Sequence, residues 1–410
     1  MIDLGLSDDD YAEYLRALRS SHRMGVTIKI RNRQEELLEA LEVPAGRLIG
    51  GSVQVDKGAE VTRSLELEFL DPEHALRFDI TAPGAGMFVD RFVSVSRDVY
   101  VEALGRWVRC PVFWGPLSAM NRSGPVITLE AQGKESLLLA PGYATEGYML
   151  AKGAATGAAI RRVARRAGER RLAVGVYPRG LRRARAVRSR SEPWKVIVGG
   201  EDTTQGRRIP GIIENLEGEH VVFYDGRGRL TVRRAIRKPV FTFTDAYLLG
   251  QPAFAYDMTE FRNAIDVRGE KPEGKKKAPH ARVALPANNA HAPARLGRNN
   301  RKRWLIDFED ATNAKTDADC RERARAILDK RSRQALEASF ECLPVPHLEE
   351  VDMVRLRSED FTVEFPLRTF TIPLTPDTPM SVGYNRRRRL RRHRRRGGWP
   401  RHRRARSVRR

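Results

Sequence analysis

The amino-acid sequence predicts an α+β fold that is mainly β, with two β-barrel or β-sandwich domains flanking a mixed α/β middle region and a basic C-terminal tail. Two observations support this fold class. Hydrophobic and polar residues alternate over several short segments separated by Gly- and Pro-containing turns, as half-buried strands require. One alanine-rich segment between the β-rich regions instead has apolar residues at helical spacing.

A short amphipathic helix is predicted at the start of the chain. Ser7 is a typical N-cap residue, and Asp10 follows at the position from which a carboxylate can bond back to the cap. The apolar residues that follow share one helix face: Tyr11, Tyr14, Leu15 and Leu18. We assign residues 1–24 to this N-terminal helical segment.

From residue 26 onward the hydrophobic period changes to two. Strands are predicted at residues 26–30, 53–55, 65–69, 88–95, 107–114 and 126–131. Turn signals such as the Asp-Pro pair at 71–72 separate these segments. Short strands at regular spacing are typical of an antiparallel barrel or sandwich, and residues 25–145 are the predicted first β-barrel domain.

The middle region combines a helix with a β-hairpin. The alanine-rich residues 141–171 place apolar side chains on one helix face and a row of arginines on the opposite face. Further on, an Asp-Gly pair at 225–226 supplies positive-φ turn residues between two β-rich runs, which predicts a hairpin over 221–232. Residues 146–270 therefore form a predicted mixed helix and hairpin domain.

The C-terminal part alternates between a loop, a second β-rich region and a basic tail. Four prolines and a run of lysines predict a loop or linker over residues 271–300. Residues 301–385 are the predicted second β-rich domain with one helix, and residues 386–410 are an Arg-rich tail. The elements predicted in that domain are strands at 303–308, 340–343 and 351–356 and a helix at 317–336. Prolines at 366, 373, 376 and 379 are expected to end the folded region.

The formal net charge of +23 is concentrated in two segments. Residues 386–410 contain 15 arginines and no acidic residue, and residues 161–190 contain 12 arginines against Glu169 alone. Subtracting these two segments leaves −3 for the other 355 residues. A uniformly cationic surface, as on a histone or a small ribosomal protein, is therefore excluded.

Cysteine usage and hydropathy indicate a chain that folds in a reducing compartment. Cys110, Cys320 and Cys342 are odd in number and widely spaced, which supports neither a disulfide scaffold nor a metal site. The first residues are acidic and lack the apolar segment of a signal peptide. The sequence has no 18-residue apolar run, so no membrane span is expected.

The carboxylates Asp307, Glu309 and Asp310 are the candidate catalytic or metal-binding cluster, since close carboxylates bind hard cations and raise one another's pKa. The alternative is a strand that leads into a helix whose first turn favours acidic residues. We favour this alternative because Asp317 and Asp319 extend the acidic pattern of a helix start, and no histidine lies near enough in the sequence to strengthen a metal site. The pair at 133–134 (Gly-Lys) lacks the rest of a phosphate-binding loop, and no GxSxG motif is present. The sequence therefore predicts no catalytic residue, metal or cofactor.

Two groups of arginines are the candidate contacts to a partner or a polyanion. The tail arginines can neutralise phosphates with salt-dependent affinity, but an arginine run is equally compatible with an acidic protein partner or a solvated extension. The helix arginines lie opposite an apolar face, so they could face a partner, line a pore or remain solvated. The candidate residues are Arg161, Arg162, Arg165, Arg166, Arg386, Arg387, Arg388, Arg389, Arg391, Arg392, Arg394, Arg395 and Arg396.

Several motifs in succession resemble one protein family. They are residues 50–56 (GGSVQVD), 63–67 (RSLEL), 70–72 (LDP), 107–115 (WVRCPVFWG), the alanine-rich helix, 223–228 (FYDGRG), 261–269 (FRNAIDVRG) and 346–352 (PHLEEVD). This order resembles the tail-tip or baseplate hub proteins of long-tailed bacteriophages, the minor tail proteins of phages of actinobacteria, over roughly residues 5–385. Such hubs often carry a Pro-x-Leu-x-x-Gly-Asp-like turn, and here Glu350 stands in place of the glycine. The Arg-rich tail has no counterpart in the family.

The resemblance implies a structural, non-enzymatic virion protein. Such hubs form a homotrimeric ring at the distal end of the tail tube, where two tube-like β-barrel domains per subunit match a six-fold tube to a three-fold tip. The ring holds the end of the tape-measure protein and opens to let it and the DNA pass. The implied partners are the distal tail protein, the tape-measure protein and tip or fibre proteins. The implied location is the virion tail tip, with assembly in the host cytoplasm.

DNA that passes through a lumen should meet few fixed positive charges, because strong phosphate contacts would stall it. We therefore expect the near-neutral body to line the channel and the arginine clusters to face outward or toward protein partners. Two other functions stay open. One is a nucleic-acid-binding structural or packaging protein that acts through its Arg-rich tail, and the other is a cell-wall hydrolase carried on the virion.

Overall fold

The computed structural model describes residues 1–76, 91–139, 147–188, 191–202, 207–216, 220–257, 261–270, 277–299, 301–311, 314, 316–332, 334–359 and 361–388. This part of the chain forms two compact units. The first unit consists of Met1–Ala253 and Ala338–Tyr384, and the second is built on Phe254–Glu337. The predicted mainly β, α+β fold class is confirmed.

Helices and strands are numbered in chain order over the described residues. The α-helices are α1 Asp8–Leu18, α2 Glu135–Leu139, α3 Thr156–Arg166, α4 Pro193–Val198, α5 Pro293–Leu296 and α6 Asp317–Arg331, with short 3₁₀ turns at Ala45–Arg47, Glu102–Leu104 and Ile212–Asn215. The strands are β1 Met24–Arg31, β2 Leu37–Pro44, β3 Leu48–Asp56, β4 Arg63–Leu70, β5 Phe92–Val101, β6 Arg106–Ser123, β7 Val126–Gln132, β8 Tyr148–Leu150, β9 Leu172–Val174, β10 Arg185–Val187, β11 Gly199–Asp202, β12 Arg207–Pro210, β13 His220–Tyr224, β14 Leu230–Arg234, β15 Phe241–Phe243, β16 Ala253–Asp257, β17 Ala264–Gly269, β18 His280–Ala284, β19 Ile306–Ala311, β20 Gln334–Cys342, β21 Met353–Arg357, β22 Thr362–Pro366, β23 Thr369–Pro373 and β24 Met380–Arg388.

The predicted N-terminal helix is present as α1. The Ser7 hydroxyl accepts a hydrogen bond from the Asp10 N–H at 3.2 Å, which caps the first turn. Tyr14 and Leu18 are buried, and they belong to one apolar cluster with Val99 of β5. The helix thus covers one face of the strands that follow it.

The first unit is organised around a run of nine hydrogen-bonded strands in the order β24-β23-β3-β4-β7-β6-β5-β1-β2. Strand β6 connects the two halves of this run, because its first part pairs with β5 and its second part with β7. The change of partner falls near Gly115, where an added Cβ would collide with the carbonyl oxygen of Gln132. A bent strand shared between two ladders is how barrels and sandwiches turn a corner.

Period-two alternation explains the strands of the first sheet. In β4, Leu65, Leu67 and Phe69 are buried, whereas Ser64 and Glu66, which alternate with them, are exposed. The strands predicted from such alternation fall within β1, β3, β4, β6 and β7. The predicted strand over 88–95 is observed from Phe92 onward as β5, and its first three residues lie outside the described residues. Strand β2 has no such alternation and was missed.

The middle region contains the predicted helix and hairpin. Helix α3 begins at Thr156, later than predicted: residues 140–146 lie outside the described part, and Tyr148–Leu150 is a strand. The β13–β14 hairpin is confirmed, and β9 pairs with β14 in parallel. The apolar face of α3, including Ile160 and Val163, shares one core with Val232 of the hairpin.

The second unit is a small sheet in the order β18-β17-β19, packed on α6. A capping box at Thr316 and Asp319 begins α6, with bonds of 3.2 and 3.1 Å. The helix ends at Arg331 and not at the predicted residue 336. The reason is visible in β20, where Ala338 and Phe340 are buried and Ser339 is exposed, so the period there is already two.

Two further expectations for the C-terminal half are corrected. The segment predicted as a loop over 271–300 includes strand β18 and helix α5. The folded region does not end at the four prolines, because β22, β23 and β24 continue to residue 388. Pro366 and Pro373 instead stand at the ends of β22 and β23, a strand position that proline tolerates.

The three cysteines Cys110, Cys320 and Cys342 are free and buried. Within the described ranges, none of the helices combines the length and the apolar character that a membrane crossing would need. The predicted domain boundaries remain predictions.

Candidate partner-binding site

The tip of the β13–β14 hairpin docks on strand β6. Gly228 has φ +66°, and a Cβ there would lie 2.5 Å from Cγ of Trp114. Gly226 approaches the carbonyl oxygen of Pro111 so closely that a Cβ would collide with it. Both glycines are therefore required by the contact with β6. The positive-φ residue of the turn is Gly228 and not the Asp-Gly pair 225–226 from which the sequence predicted the hairpin.

A buried carboxylate connects the hairpin tip to two other segments. Glu349 accepts a hydrogen bond from the Gly226 N–H at 2.8 Å and an ion pair from Arg63 at 2.6 Å. Arg63 also donates to the carbonyl oxygen of Val112 at 2.5 Å. Because Arg63 and Glu349 are only 3% and 2% exposed, each charge depends on the other for compensation.

The turn at residues 346–352 places its acidic side chains in the protein interior. Val351 has φ 58°, a left-handed conformation that β-branched residues rarely adopt. Glu350 is buried and pairs with Lys57 at 2.9 Å. The prediction that Glu350 replaces the glycine is wrong: counted from Pro346, the glycine of the Pro-x-Leu-x-x-Gly-Asp pattern falls on Val351, the residue that adopts the left-handed conformation.

Lys134 is the centre of a second buried charge cluster. Its ammonium group is 2.6 Å from Glu35 and 2.8 Å from Glu169, and the side chain is 1% exposed. The Tyr224 hydroxyl donates to Glu169 at 2.9 Å. The sequence did not predict this cluster, since Lys134 lies 99 residues from Glu35 and 35 residues from Glu169. In the sequence, Lys134 drew attention only through the Gly-Lys pair at 133–134, which did not belong to a phosphate-binding loop.

A groove of about 550 Å³ opens beside this cluster, between the end of α3 and the loop that follows β1. Its lining contains five cationic side chains and two carboxylates, and both carboxylates are the ones that pair with Lys134. The charged lining residues are Arg33, Glu35, Lys134, Arg165, Arg166, Glu169 and Arg170. The rim therefore carries an excess of positive charge.

The structure separates the helix arginines that the sequence grouped. Arg165 and Arg166 line the groove. Arg161 instead donates to two backbone carbonyl oxygens at 3.0 Å each, and Arg162 and Arg166 lie 5.2 and 4.3 Å from the centre of the Tyr148 ring. Two of the four predicted contact residues are thus placed together on a surface that a partner could reach, and Arg161 is engaged within the fold.

The predicted tail contacts are described only in part. The backbone of Arg386, Arg387 and Arg388 belongs to strand β24. The remaining candidates, Arg389, Arg391, Arg392, Arg394, Arg395 and Arg396, lie outside the described residues. A role of the tail in contacting a partner or a polyanion stays a prediction.

The carboxylate cluster of β19 does not converge on one point. Asp307 pairs with Arg331 at 2.8 Å and Glu309 with Arg323 at 2.6 Å, both on α6. Asp310 is exposed on the other face of the strand, as the alternation of side chains requires. Within the described ranges, no group of three or more His, Cys, Asp or Glu residues is placed to hold a metal ion.

The chain is similar in fold to solved phage tail proteins. It superposes on the 43 kDa tail protein of prophage MuSo2 from Shewanella oneidensis with a TM-score of 0.54 and 10% sequence identity, covering 88% of this chain and 98% of that chain. A tail protein from Neisseria meningitidis MC58 (TM-score 0.44, 11% identity, 88% and 97% covered) and the prophage tail protein gp18 from Listeria monocytogenes EGD-e (0.40, 7%, 88% and 94%) are also similar. No family profile matches the chain, and no curated protein matches it.

Proposed function

We propose that this protein is a structural component of a phage tail tip or baseplate. Copies of the chain form a ring-shaped, trimeric hub that closes the distal end of the tail tube. The ring adapts a six-fold tube to a three-fold tip, holds the end of the tape-measure protein and lets DNA pass on infection. The protein contributes no catalytic step.

The observation that carries this proposal is the fold shared with a prophage tail protein over 98% of that protein's length. The order of sequence motifs that resembles tail hubs supports the same function independently.

The edge of the first sheet supports subunit pairing. Strand β2 stands at one end of the strand order, and only one of its eight residues is buried. Leu37 and Leu38 at its start are 52% and 48% exposed. An accessible edge with exposed leucines offers both backbone hydrogen bonds and apolar area to a second subunit.

The first experiment measures oligomeric mass by light scattering and symmetry by electron microscopy. We expect a particle with three times the 46.4 kDa chain mass and a central channel. A stable monomer within the mature particle would contradict the ring.

The second experiment tests the edge with the double variant Leu37→Lys/Leu38→Lys. Lysines on an edge strand oppose pairing between chains, so the trimer should dissociate while the circular dichroism spectrum and Tm stay unchanged. Val176→Lys is the matched control, because Val176 is 85% exposed and lies outside β2. Equal oligomeric mass for the two variants would exclude β2 as the interface.

A second candidate function, nucleic-acid binding through the tail, is favoured by the 15 arginines of residues 386–410. Deletion of these residues separates the two functions. The hub proposal predicts that the shortened chain still forms trimers and enters tails. Loss of a steeply salt-dependent DNA affinity, with the folded body unaffected, would favour the second function.

A further inference from the structure

A small pocket of about 220 Å³ lies between the first sheet and the middle region, apart from the groove beside α3. Strand register builds its floor, because Lys29 of β1 stands opposite Ser94 of β5, and Ser94 stands opposite Trp114 of β6. Arg171, next to β9, and Arg227, in the hairpin turn, complete the lining from the middle region. The pocket therefore depends on the docking of the hairpin on β6.

All the charged side chains that line this pocket are cationic. Lys29, Arg31, Arg171 and Arg227 contribute to it, and none of its described lining residues is acidic. The guanidinium carbons of Arg31 and Arg171 lie 4.4 and 3.8 Å from the centre of the Trp114 ring. Burial first, and the positive charge of Arg171 second, lower the pKa of Arg31. Glu35 offsets this repulsion only in part.

Hydrogen-bond donors in the pocket also lack acceptors. Nε of Arg31 and Nε1 of Trp114 are buried, and neither has a hydrogen-bond partner among the described residues. Nε of Arg171 is also buried without a hydrogen-bond partner, and the Glu35 carboxylate oxygen with which it forms an ion pair lies 3.7 Å away. Buried donors are normally paired, so these three donors leave hydrogen-bonding capacity beside the pocket that no described residue satisfies.

We propose that this pocket binds a carboxylate side chain from an acidic segment of a protein partner. Guanidinium groups match the planar, two-oxygen geometry of a carboxylate, and the indole and guanidinium surfaces pack the aliphatic part of such a side chain. A DNA duplex fits less well, because its affinity comes from many phosphates spread along a convex backbone, whereas this pocket admits one anionic group. The proposal does not depend on the trimeric ring.

Zero-length carbodiimide cross-linking of the full chain to a hexaglutamate peptide tests the site directly. The reagent joins peptide carboxylates to lysine amines, and the Arg-rich tail from residue 386 onward contains no lysine that could react. Lys152 is the internal reference, because it is exposed and does not line the pocket. Mass spectrometry is expected to find at least about tenfold more cross-link at Lys29 than at Lys152, the preference that one charge-assisted contact supports.

Binding titrations provide the second readout. Lys29→Met should weaken hexaglutamate binding by about tenfold, and Lys152→Met should leave it unchanged within twofold. Equal cross-linking at the two lysines, or equal affinities of the two variants, would overturn the proposal. A short DNA duplex that prevents the Lys29 cross-link and loses affinity on Lys29→Met would assign the pocket to nucleic acid and overturn it as well. The cross-linking result stands even if a variant fails to fold, and neither readout depends on oligomeric mass, so failure of the hub proposal is distinguishable.

Discussion

Lys134 and Arg165 line the same groove, yet their surroundings are opposite. Lys134 is 1% exposed and pairs with two carboxylates, whereas Arg165 is exposed and its guanidinium has no hydrogen bond or ion pair with a described residue. A buried charge must be compensated within the fold, while an exposed one is hydrated at little cost. Burial therefore separates the charges that hold this protein together from those that are available to a partner.

Replacing Lys134 by methionine should give the largest effect on stability. The substitution leaves the buried carboxylates of Glu35 and Glu169 without their cation, and breaking a buried pair costs about 3–5 kcal/mol in the free energy of unfolding. Urea denaturation measures the loss, and Lys152→Met, on an exposed turn residue, is the control. A change below about 0.5 kcal/mol would mean that the two carboxylates find other partners.

The contact of the hairpin with β6 should be the next most sensitive feature. Gly228→Ala combines the left-handed conformation with a close approach to Trp114, and we expect a loss of roughly 2–4 kcal/mol. Gly124→Ala is the matched control, since Gly124 has φ +59° with open space around it and should lose only about 1–2 kcal/mol. Similar losses in thermal unfolding for both variants would show that the hairpin tip does not pack tightly on β6.

The buried carboxyl group of Glu135 should make the stability of the protein depend on pH. Burial first, and the charge of Glu350 second, raise the pKa of Glu135 from 4.5 to about 7. The folded chain then binds this proton more tightly than the unfolded chain, so the free energy of unfolding should fall as pH rises from about 4.5 to 7.

The variant Glu135→Gln resembles the protonated side chain and should remove about 3 kcal/mol of that fall, at roughly 1.4 kcal/mol for each pKa unit between 4.5 and about 7. Denaturation curves at several pH values provide the measurement. Parallel pH profiles for the variant and the unaltered protein would contradict a raised pKa.

The smallest effect on stability is expected at the exposed arginines. The double variant Arg165→Gln/Arg166→Gln should change the free energy of unfolding by less than about 1 kcal/mol, because both side chains are exposed and Arg166 loses only an exposed cation–π contact with Tyr148. Val163→Ala on the buried face of the same helix should cost about 1–3 kcal/mol. A large loss in the arginine variant would place these residues among the structural charges and remove the contrast with Lys134.

The sequence predicted features that depend on local periodicity or turn chemistry. Helix α1, strands β1, β3, β4, β6 and β7 and the β13–β14 hairpin were found because their apolar spacing or turn residues lie within a few positions of one another. Strand β2 was missed since a sheet edge buries little and shows weak alternation. Helix α6 was extended too far because helical and strand patterns overlap over short apolar runs.

The charge clusters could not be predicted in the same way. Arg63 and Glu349 are separated by 286 residues, and nothing in either local segment marks it as buried. Likewise, helical periodicity placed Arg161 and Arg165 on one polar face. The backbone carbonyl groups that accept hydrogen bonds from Arg161 belong to β9 and the residue that follows it, and helical periodicity gives no sign of them. Pairing between distant segments becomes visible only after the fold has brought them together.

The pairing of β23 with β3 also sets an order for folding. Thr369 and Asp56 meet across 313 residues, so the ladder beside β3 is completed only after nearly all of the described chain has left the ribosome. Until then β3 presents an open edge on which another nascent chain could pair. A chain whose synthesis stops before β23 therefore cannot complete its first sheet.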